Sequence, residues 1–219
     1  MKSGKLAIVR GGGDLATGII YRLWKAGYAV LSLETETPLV VRRTVSVASA
    51  VFDGSTVIED MEAVRIDSLN DFSFDRGRIS VLVDPEGSSI GILRPDLVVD
   101  AIMAKKNLGT DKGMAPLVIG IGPGFSAPED VHAVIETKRG HYLGRVIRKG
   151  SAIPNTGVPG LIRGYTVERL LRSPAEGYVV PVKQIGDTVM PGDAVAYVQG
   201  LPVCSQIKGI VRGLIHPSV

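Results

Sequence analysis

The most informative segment of this sequence is Leu6-Ala7-Ile8-Val9-Arg10-Gly11-Gly12-Gly13-Asp14-Leu15-Ala16, near the start of the chain. Its apolar run, followed at once by glycines, predicts a strand buried on both faces of a parallel sheet. Asp14 suits the N-cap or first turn of a helix, and apolar residues then recur at helical spacing. Gly27 is expected to end this helix, and residues 28–34 to form the next strand. The segment therefore predicts a β-α-β unit.

The glycines of this segment form the pattern Gly11-x-Gly13-x-x-Ala16, which is typical of a phosphate-binding turn. Gly11 permits a tight turn, and Gly13 is expected to need either a positive φ or close approach of its backbone to a phosphate. The helix N-terminus attracts anions through its N–H groups and dipole. Glu34 ends the second strand 21 residues after Gly13, where a dinucleotide site places the acid that accepts ribose hydroxyls.

The same glycines are compatible with a second interpretation, in which they only make a tight turn between strand and helix. Asp14 favours this alternative, because its carboxylate would compete with a phosphate for one helix end. The surrounding β-α-β context favours the ligand interpretation.

Further buried strands are predicted at residues 78–84, 97–100 and 116–119, and one or two short strands within residues 57–66. A helix is predicted at residues 44–52. The expected class is α/β, with a Rossmann-like parallel sheet domain followed by a smaller all-β region that resembles a barrel-sandwich. The predicted domains are residues 1–125, which bind a nucleotide; residues 126–172, a connecting β and loop region; and residues 173–219, the barrel-sandwich-like region.

Polar or glycine-rich loops follow each predicted parallel strand, so they are expected to converge where the carboxyl ends of the strands meet. Arg42 and Arg43 are expected to reach the same crevice and hold a phosphate or carboxylate. Taken singly, the arginines and the Lys105-Lys106 pair also suit solvated surface positions, and Asp84 and Asp100 suit turns. The candidate ligand-binding residues are Gly11, Gly12, Gly13, Asp14, Thr17, Glu34, Arg42, Arg43, Asp84, Glu86, Asp100, Lys105, Lys106, Asn107, Gly122 and Gly124.

Composition excludes several classes of function. The net charge is only +3 and aromatic residues make up 5% of the chain, so a nucleic-acid groove is not expected. No P-loop or G-x-S-x-G motif occurs, and one cysteine with three scattered histidines predicts no metal site. His141 suits acid–base chemistry or a structural position, and Cys204 is expected to be a small core residue. No residue is assigned a catalytic role.

The single cysteine and the absence of a signal-peptide core or long apolar run predict a cytoplasmic protein that is not bound to membranes. Near the chain end, residues 173–179 and 185–198 resemble one half of a biotinyl/lipoyl-like barrel-sandwich domain. The hairpin expected near residues 199–202 lacks the lysine of lipoyl carriers, so a swinging-arm role is not expected. The second half is expected to be incomplete, with residues 203–214 forming an edge that has few partners or pairs with another chain.

With those residues in place, the chain resembles the YqeB-type accessory proteins of selenium-dependent molybdenum hydroxylases. Its beginning is also distantly similar to XdhC-type molybdenum cofactor chaperones. The stretches that carry the YqeB-type resemblance are Val9–Gly18, Arg42–Ser46, Val83–Gly87, Asp100–Thr110, Gly122–Phe125, Glu136–His141 and Pro154–Gly160.

The resemblance implies a factor that matures a molybdenum hydroxylase or inserts its cofactor. The expected ligand is a nucleotide-like small molecule, either molybdopterin cytosine dinucleotide or NAD(P), and the expected protein partner is a molybdenum hydroxylase. Self-association into a homo-oligomer is left open. The alternatives are an NAD(P)-dependent oxidoreductase and a non-catalytic scaffold with a vestigial Rossmann site.

Overall fold

The computed structural model describes residues 4–219 as a mixed α/β protein with many strands and few helices. The helices are α1 (Asp14–Lys25), α2 (Ala50–Asp53) and α3 (Ser88–Leu93). The strands are β1 (Leu6–Arg10), β2 (Ala29–Glu34), β3 (Ser55–Ile58), β4 (Met61–Ile66), β5 (Ile79–Val83), β6 (Leu97–Asp100), β7 (Leu117–Ile121), β8 (Ser126–Ala127), β9 (Ala133–Ile135), β10 (Val146–Ile147), β11 (Gly150–Ser151), β12 (Val179–Pro181), β13 (Thr188–Val189), β14 (Ala194–Val198), β15 (Leu201–Cys204) and β16 (Gly209–Ile210).

Nine of these strands form one large sheet in the order β10-β9-β7-β6-β1-β2-β5-β4-β3. The seven strands from β9 to β4 in this order are parallel, and the two outer strands, β10 and β3, are antiparallel to their neighbours. The chain builds outward from β1 in both directions, first through β2 and later through β6. This reversal creates a switch point between β1 and β6, where ligands of open parallel sheets commonly bind.

The central strands are buried on both faces, as their uninterrupted apolar runs predict. In β1, Ala7 and Val9 belong to one apolar core, which also contains Ile20 of α1. Leu6 and Ile8 belong to a second core on the other face, which also contains Ile90 of α3. The alternation follows from the two-residue period of a strand, so β1 supports two layers at once.

The helix predicted at residues 44–52 is largely replaced by short turns. The chain makes single 3₁₀ turns at Arg43–Val45 and Val47–Ser49 before α2 begins at Ala50. β-branched residues lower helix propensity, and serine side chains compete for backbone hydrogen bonds. The segment therefore packs against its neighbours as short turns and not as one regular helix.

Contacts within the chain divide it into two compact units. The first contains the described residues through Pro38 together with Val45–Asn155, and the second contains Leu39–Thr44 together with Thr156–Val219. The large sheet of the first unit includes β9 and β10, which come from the stretch predicted as a connecting region.

The second unit has separate antiparallel sheets, β12-β14-β15 and β13-β16. The expected hairpin is present: Gln199 and Gly200 have φ of 49° and 78° and join β14 to β15. In that three-stranded sheet, β15 is an edge strand. Cys204 at its end is exposed, so the prediction of a core cysteine was wrong. The register slips between Ala194 and Ala196, and Cys204 pairs beside this irregularity, where sequence alternation no longer indicates burial.

Within residues 4–219, no helix is long and apolar enough to cross a membrane.

Candidate functional site

The carboxyl ends of β1 and β6 lie side by side at the switch point, and Gly11 is the residue that permits their close approach. Its φ is +96°, and a Cβ placed on it would lie 2.9 Å from the carbonyl oxygen of Ala101. The Gly11 N–H donates to the carbonyl oxygen of Leu33, near the end of β2, at 2.7 Å. Glycine is therefore required here both by backbone conformation and by the neighbouring loop.

Of the two predicted reasons for glycine at position 13, a positive φ is excluded, because Gly13 is the N-cap of α1 with φ of −65° and ψ of −180°. This extended backbone does not itself require glycine, so the predicted close approach to a ligand stays a prediction. Gly12 is sterically constrained instead, because a Cβ on it would lie 3.0 Å from the Ala48 nitrogen. Asp14 is the first helical residue, and the N-cap residue before it, Gly13, has no side chain that could cap this end of α1.

Thr17, one turn into α1, is buried and points its hydroxyl at the protein rather than outward. The hydroxyl donates to the Gly13 carbonyl at 2.8 Å and accepts the Val47 N–H at 3.0 Å. Thr17 therefore joins the glycine loop to the segment that precedes α2, which supports the loop's shape.

Glu34 at the end of β2 contacts the glycine loop directly. The Gly12 N–H donates to Glu34 Oε1 at 2.6 Å, and the Thr35 N–H donates to Oε2 at 3.0 Å. Burial raises the pKa of this carboxyl above its ordinary value, although both hydrogen bonds act in the opposite direction. A carboxylate thus already occupies one N–H donor of the loop.

Replacing Glu34 with Gln should therefore change how stability depends on pH. A carboxyl with a raised folded-state pKa stabilises the fold fully below its unfolded value, which is about 4.3, and loses this contribution as pH rises through the folded value. The stability of the parent relative to Glu34→Gln should fall over that window and then become constant. Urea unfolding of both proteins at a series of pH values measures their free energies of unfolding. A stability of the parent relative to the variant that rises with pH would contradict the raised pKa of Glu34.

Arg10 at the end of β1 organises the centre of this edge, although it was not among the candidate residues. Its guanidinium is buried, lies 3.8 Å from Asp100 Oδ2, and donates to Thr110 Oγ1 at 2.6 Å and to the Pro85 carbonyl at 3.1 Å. The Thr110 hydroxyl in turn donates to Asp100 at 2.6 Å. Arg10 therefore links the loops that follow β5 and β6.

Asp84 and Glu86 follow β5 and have different environments. The Asp84 carboxylate accepts the N–H groups of Gly87, Ser88 and Ser89 at 2.8–3.1 Å. Burial acts to raise its pKa, but hydrogen bonds from Ser89 and the neighbouring backbone outweigh this, so the pKa lies below its ordinary value. Asp84 has the turn-forming role that the sequence left open, and Glu86 is exposed.

The loop after β6 carries two lysines on a strained backbone. Met103 and Lys105 both have φ of 63°, a left-handed conformation that is uncommon for residues other than glycine. Asn107 closes the loop by accepting the Thr110 N–H and donating to the Thr110 carbonyl, both at 2.8 Å. Lys105 and Lys106 are exposed. The loop is thus held in an unusual shape that presents its cations to solvent.

Gly122 and Gly124 follow β7 and are required for close contact with neighbouring loops. Gly124 has φ of +116°, and a Cβ on it would lie 2.8 Å from the backbone of Lys106. Gly122 has φ of +78°, and a Cβ there would lie 2.7 Å from Thr137 Oγ1. The loops after β6, β7 and β9 are consequently in contact.

Arg42 and Arg43 belong to the second unit, which the sequence did not indicate. Arg43 donates to the Leu214 carbonyl at 3.2 Å, and the Leu214 N–H donates to Val41 at 2.6 Å. Their predicted approach to the glycine loop stays a prediction. The second unit also has a cleft of about 480 Å³ lined by Arg43, Thr44, Pro181, Val182, Lys183, Gln184 and Ile185.

Among residues 4–219, no three histidine, cysteine, aspartate or glutamate side chains are grouped so that they could hold a metal ion. The first unit thus combines the ends of β1, β2, β5, β6 and β7 with glycine-dependent loop contacts and a buried Arg10–Asp100 pair. Such an arrangement combines the N-terminus of α1, exposed ammonium groups and a rigid base, which are elements that anion-binding sites use.

Comparison with known proteins adds one relative. No protein-family model and no solved structure matches the chain. The chain is 47% identical over 214 residues to "Uncharacterized protein YqeB" of Escherichia coli (strain K12). The alignment covers 97% of this chain and 40% of that protein, so the chain spans less than half the length of its relative. The chain is therefore similar over nearly its whole length to a part of that protein.

Proposed function

We propose that the first unit binds a nucleotide-containing anion at the carboxyl ends of its parallel strands. We further propose that the chain acts as an accessory factor in maturing a selenium-dependent molybdenum hydroxylase. The candidate ligands are molybdopterin cytosine dinucleotide and NAD(P). The second part of the proposal rests on the sequence resemblance, which extends at the start of the chain to XdhC-type chaperones.

The observation that carries the ligand proposal is the joining of five separate loops at one edge. Gly11 packs on the loop after β6, Arg10 joins that loop to the one after β5, and Glu34 of β2 binds the glycine loop. Gly124 of the loop after β7 packs on Lys106 of the loop after β6. A Rossmann-like site has this arrangement, with its phosphates at the start of the first helix. The strained backbone at Met103 and Lys105 supports a functional role for the edge, because such strain is concentrated in binding sites.

A non-catalytic scaffold is the second candidate, and one observation favours it. The Glu34 carboxylate already accepts the Gly12 N–H, and the Arg10, Asp100 and Thr110 side chains bond to one another. An edge that satisfies its own polar groups in this way is also what a vestigial site would show. Ligand binding distinguishes the two candidates directly.

Gly13→Val is the variant best suited to test ligand binding. The extended φ and ψ of Gly13 accept valine, so the fold should survive, whereas a branched side chain should block a phosphate at the start of α1. The parent should be stabilised by at least one of NAD(H), NADP(H), CTP or a pterin nucleotide. At 100 times Kd the gain is about 2.7 kcal/mol, which raises Tm by about 5–10 °C for a chain of this size.

The matched control is Gly18→Ala, an exposed position inside α1 where a Cβ meets nothing within 4 Å. Gly18→Ala should keep the ligand-induced shift, and Gly13→Val should lose it. Equal shifts for the two variants would reject the glycine loop as the phosphate site. Stabilisation by none of the nucleotides would favour the scaffold, and turnover with a nicotinamide cofactor would favour the oxidoreductase alternative.

A further inference from the structure

Charge is distributed unevenly along the carboxyl edge of the large sheet. On one side of the switch point, the loops that follow β2, β4 and β5 contain residues 34–38, 67–71 and 84–87. These stretches, at the end of each strand or directly after it, have six carboxylates and no lysine or arginine, although Arg42 and Arg76 follow later in the connections after β2 and β4. The carboxylates are Glu34, Glu36, Asp67, Asp71, Asp84 and Glu86. Carboxylates accept hydrogen bonds from hydroxyl and amine groups and repel anions, so this side suits the uncharged part of a ligand.

The other side of the switch point has the opposite charge. The loops after β6, β7 and β9, at residues 101–107, 122–125 and 136–145, carry five cations: Lys105, Lys106, Lys138, Arg139 and Arg145. All five side chains are exposed, and within residues 4–219 none forms an ion pair with a carboxylate. Exposed cations that form no ion pair make a surface that attracts anions, although Arg145 also lies over the Tyr142 ring.

The carboxylate within these stretches, Glu136, interacts electrostatically with Lys138 but forms no ion pair with it. It is buried, and its two oxygens accept the N–H groups of Lys138 and Ile153, each at 2.8 Å. Burial acts to raise its pKa, but these backbone hydrogen bonds outweigh it, and the pKa lies below its ordinary value. Glu136 therefore fixes the start of the loop between β9 and β10, which form a hairpin, and it holds Lys138 and Arg139 at the edge of the sheet.

The cationic loops are continuous with one another and with the glycine loop. Gly124 packs on Lys106, Gly122 packs on Thr137, and Gly11 packs on Ala101. Three strand spacings, of about 4.8 Å each, separate β1 from β9, which gives a span of about 14 Å. This span matches an extended ligand of dinucleotide size rather than a single phosphate.

We propose that the ligand extends from the glycine loop toward β9 and presents there a second anionic group, a phosphate or a carboxylate, to Lys138 and Arg139. This inference rests on the proposed nucleotide site for its starting point, and it fixes the ligand's direction. It rules out NAD(P) among the candidate ligands, because the nicotinamide end of NAD(P) carries no phosphate or carboxylate. The hydroxyl-bearing nucleoside lies toward β2, and the anionic distal group lies toward β9. Arginine and lysine at such a position form charge-assisted hydrogen bonds with either kind of anion.

Titration calorimetry with two simple anions tests the hairpin without requiring recognition of a base. Tripolyphosphate and citrate are titrated separately into the full chain at low ionic strength, because screening weakens exposed charges. At least one of them should bind, and Lys138→Ala/Arg139→Ala should weaken that binding at least about tenfold. Stronger binding of tripolyphosphate would assign a phosphate as the distal group, and stronger binding of citrate a carboxylate.

The control is Arg148→Ala/Lys149→Ala, which removes the same charge. These residues follow β10, which is antiparallel to β9, so they lie toward the opposite end of the hairpin. The control should bind the anion as the parent does. Equal losses in both variants, or no binding of either anion, would overturn the inference.

Nucleotide titrations with the same variants separate this inference from the proposed function. Anion binding at the hairpin without any nucleotide binding would refute the nucleotide site alone. Nucleotide binding that the Lys138→Ala/Arg139→Ala change leaves unaltered would refute the hairpin's role alone.

Discussion

Replacing Arg10 with Met is expected to destabilise the protein by about 3–5 kcal/mol, because removal of one partner leaves the other charge buried. Asp100 would lose its counter-charge at 3.8 Å, and the Pro85 carbonyl would lose a donor at 3.1 Å. Methionine keeps the apolar stem of arginine, so the lost charge and hydrogen bonds dominate the change. Urea unfolding measures the loss as a lower midpoint.

Two further variants show whether the loss comes from the network. Asp67→Asn removes a carboxylate whose side chain is 86% exposed and pairs with Arg65 at 3.4 Å, so stability should change by about 0.5 kcal/mol or less. Arg10→Met/Asp100→Leu should be less destabilised than the sum of its single variants, because neither charge is then left alone. The stabilising role of the Arg10–Asp100 pair would be refuted by stability losses that add, or by a loss in Arg10→Met no larger than that in Asp67→Asn.

Gly11→Ala should also destabilise the fold, by about 2–5 kcal/mol, because it combines backbone strain with an overlap. Alanine would have to adopt a φ of +96° and place its Cβ 2.9 Å from the Ala101 carbonyl oxygen. The backbone at both positions is fixed by strand pairing, since Arg10 pairs with Asp100 in register. The loop therefore cannot move away without breaking the sheet at its centre.

Gly18→Ala is the matched control for this change. It introduces the same methyl group into α1 with open space around it, and it should stabilise the protein by about 0.5–1 kcal/mol through helix propensity. Opposite signs for the two alanine variants in parallel urea titrations are the expected result. A Gly11→Ala variant as stable as the parent would contradict the close contact between the ends of β1 and β6.

Much of the large sheet could be predicted because the signals for its strands are local. Leu6–Val9 and Leu97–Asp100 are apolar runs, and each is buried on both faces as such runs require. The Gln199–Gly200 turn was also predictable, because Gly200, which tolerates a positive φ, lies between two strand patterns. These features need no knowledge of distant parts of the chain.

The features that were missed depend on contacts between distant residues. Arg10 and Asp100 each close an apolar strand, but only the strand order makes them neighbours. The requirement for glycine lies at Gly11 and Gly12 because the Ala101 and Ala48 backbones approach them. Leu39–Thr44 joins the second unit through the residues near Leu214, a contact that no local pattern indicates. The local signal that could have indicated Arg10 is its position as a charged residue at the end of a buried strand.

The most direct test of the nucleotide-binding proposal is a crystal structure of the chain with the nucleotide that stabilises it most. The account predicts phosphates within hydrogen-bonding distance of the N–H groups of Gly13 and Asp14 at the start of α1, with the nucleoside toward β2 and the rest of the ligand toward β9. Occupancy should disappear in Gly13→Val crystals grown at the same nucleotide concentration. A nucleotide bound elsewhere, with the Gly11–Asp14 edge empty at a saturating concentration, would contradict the account.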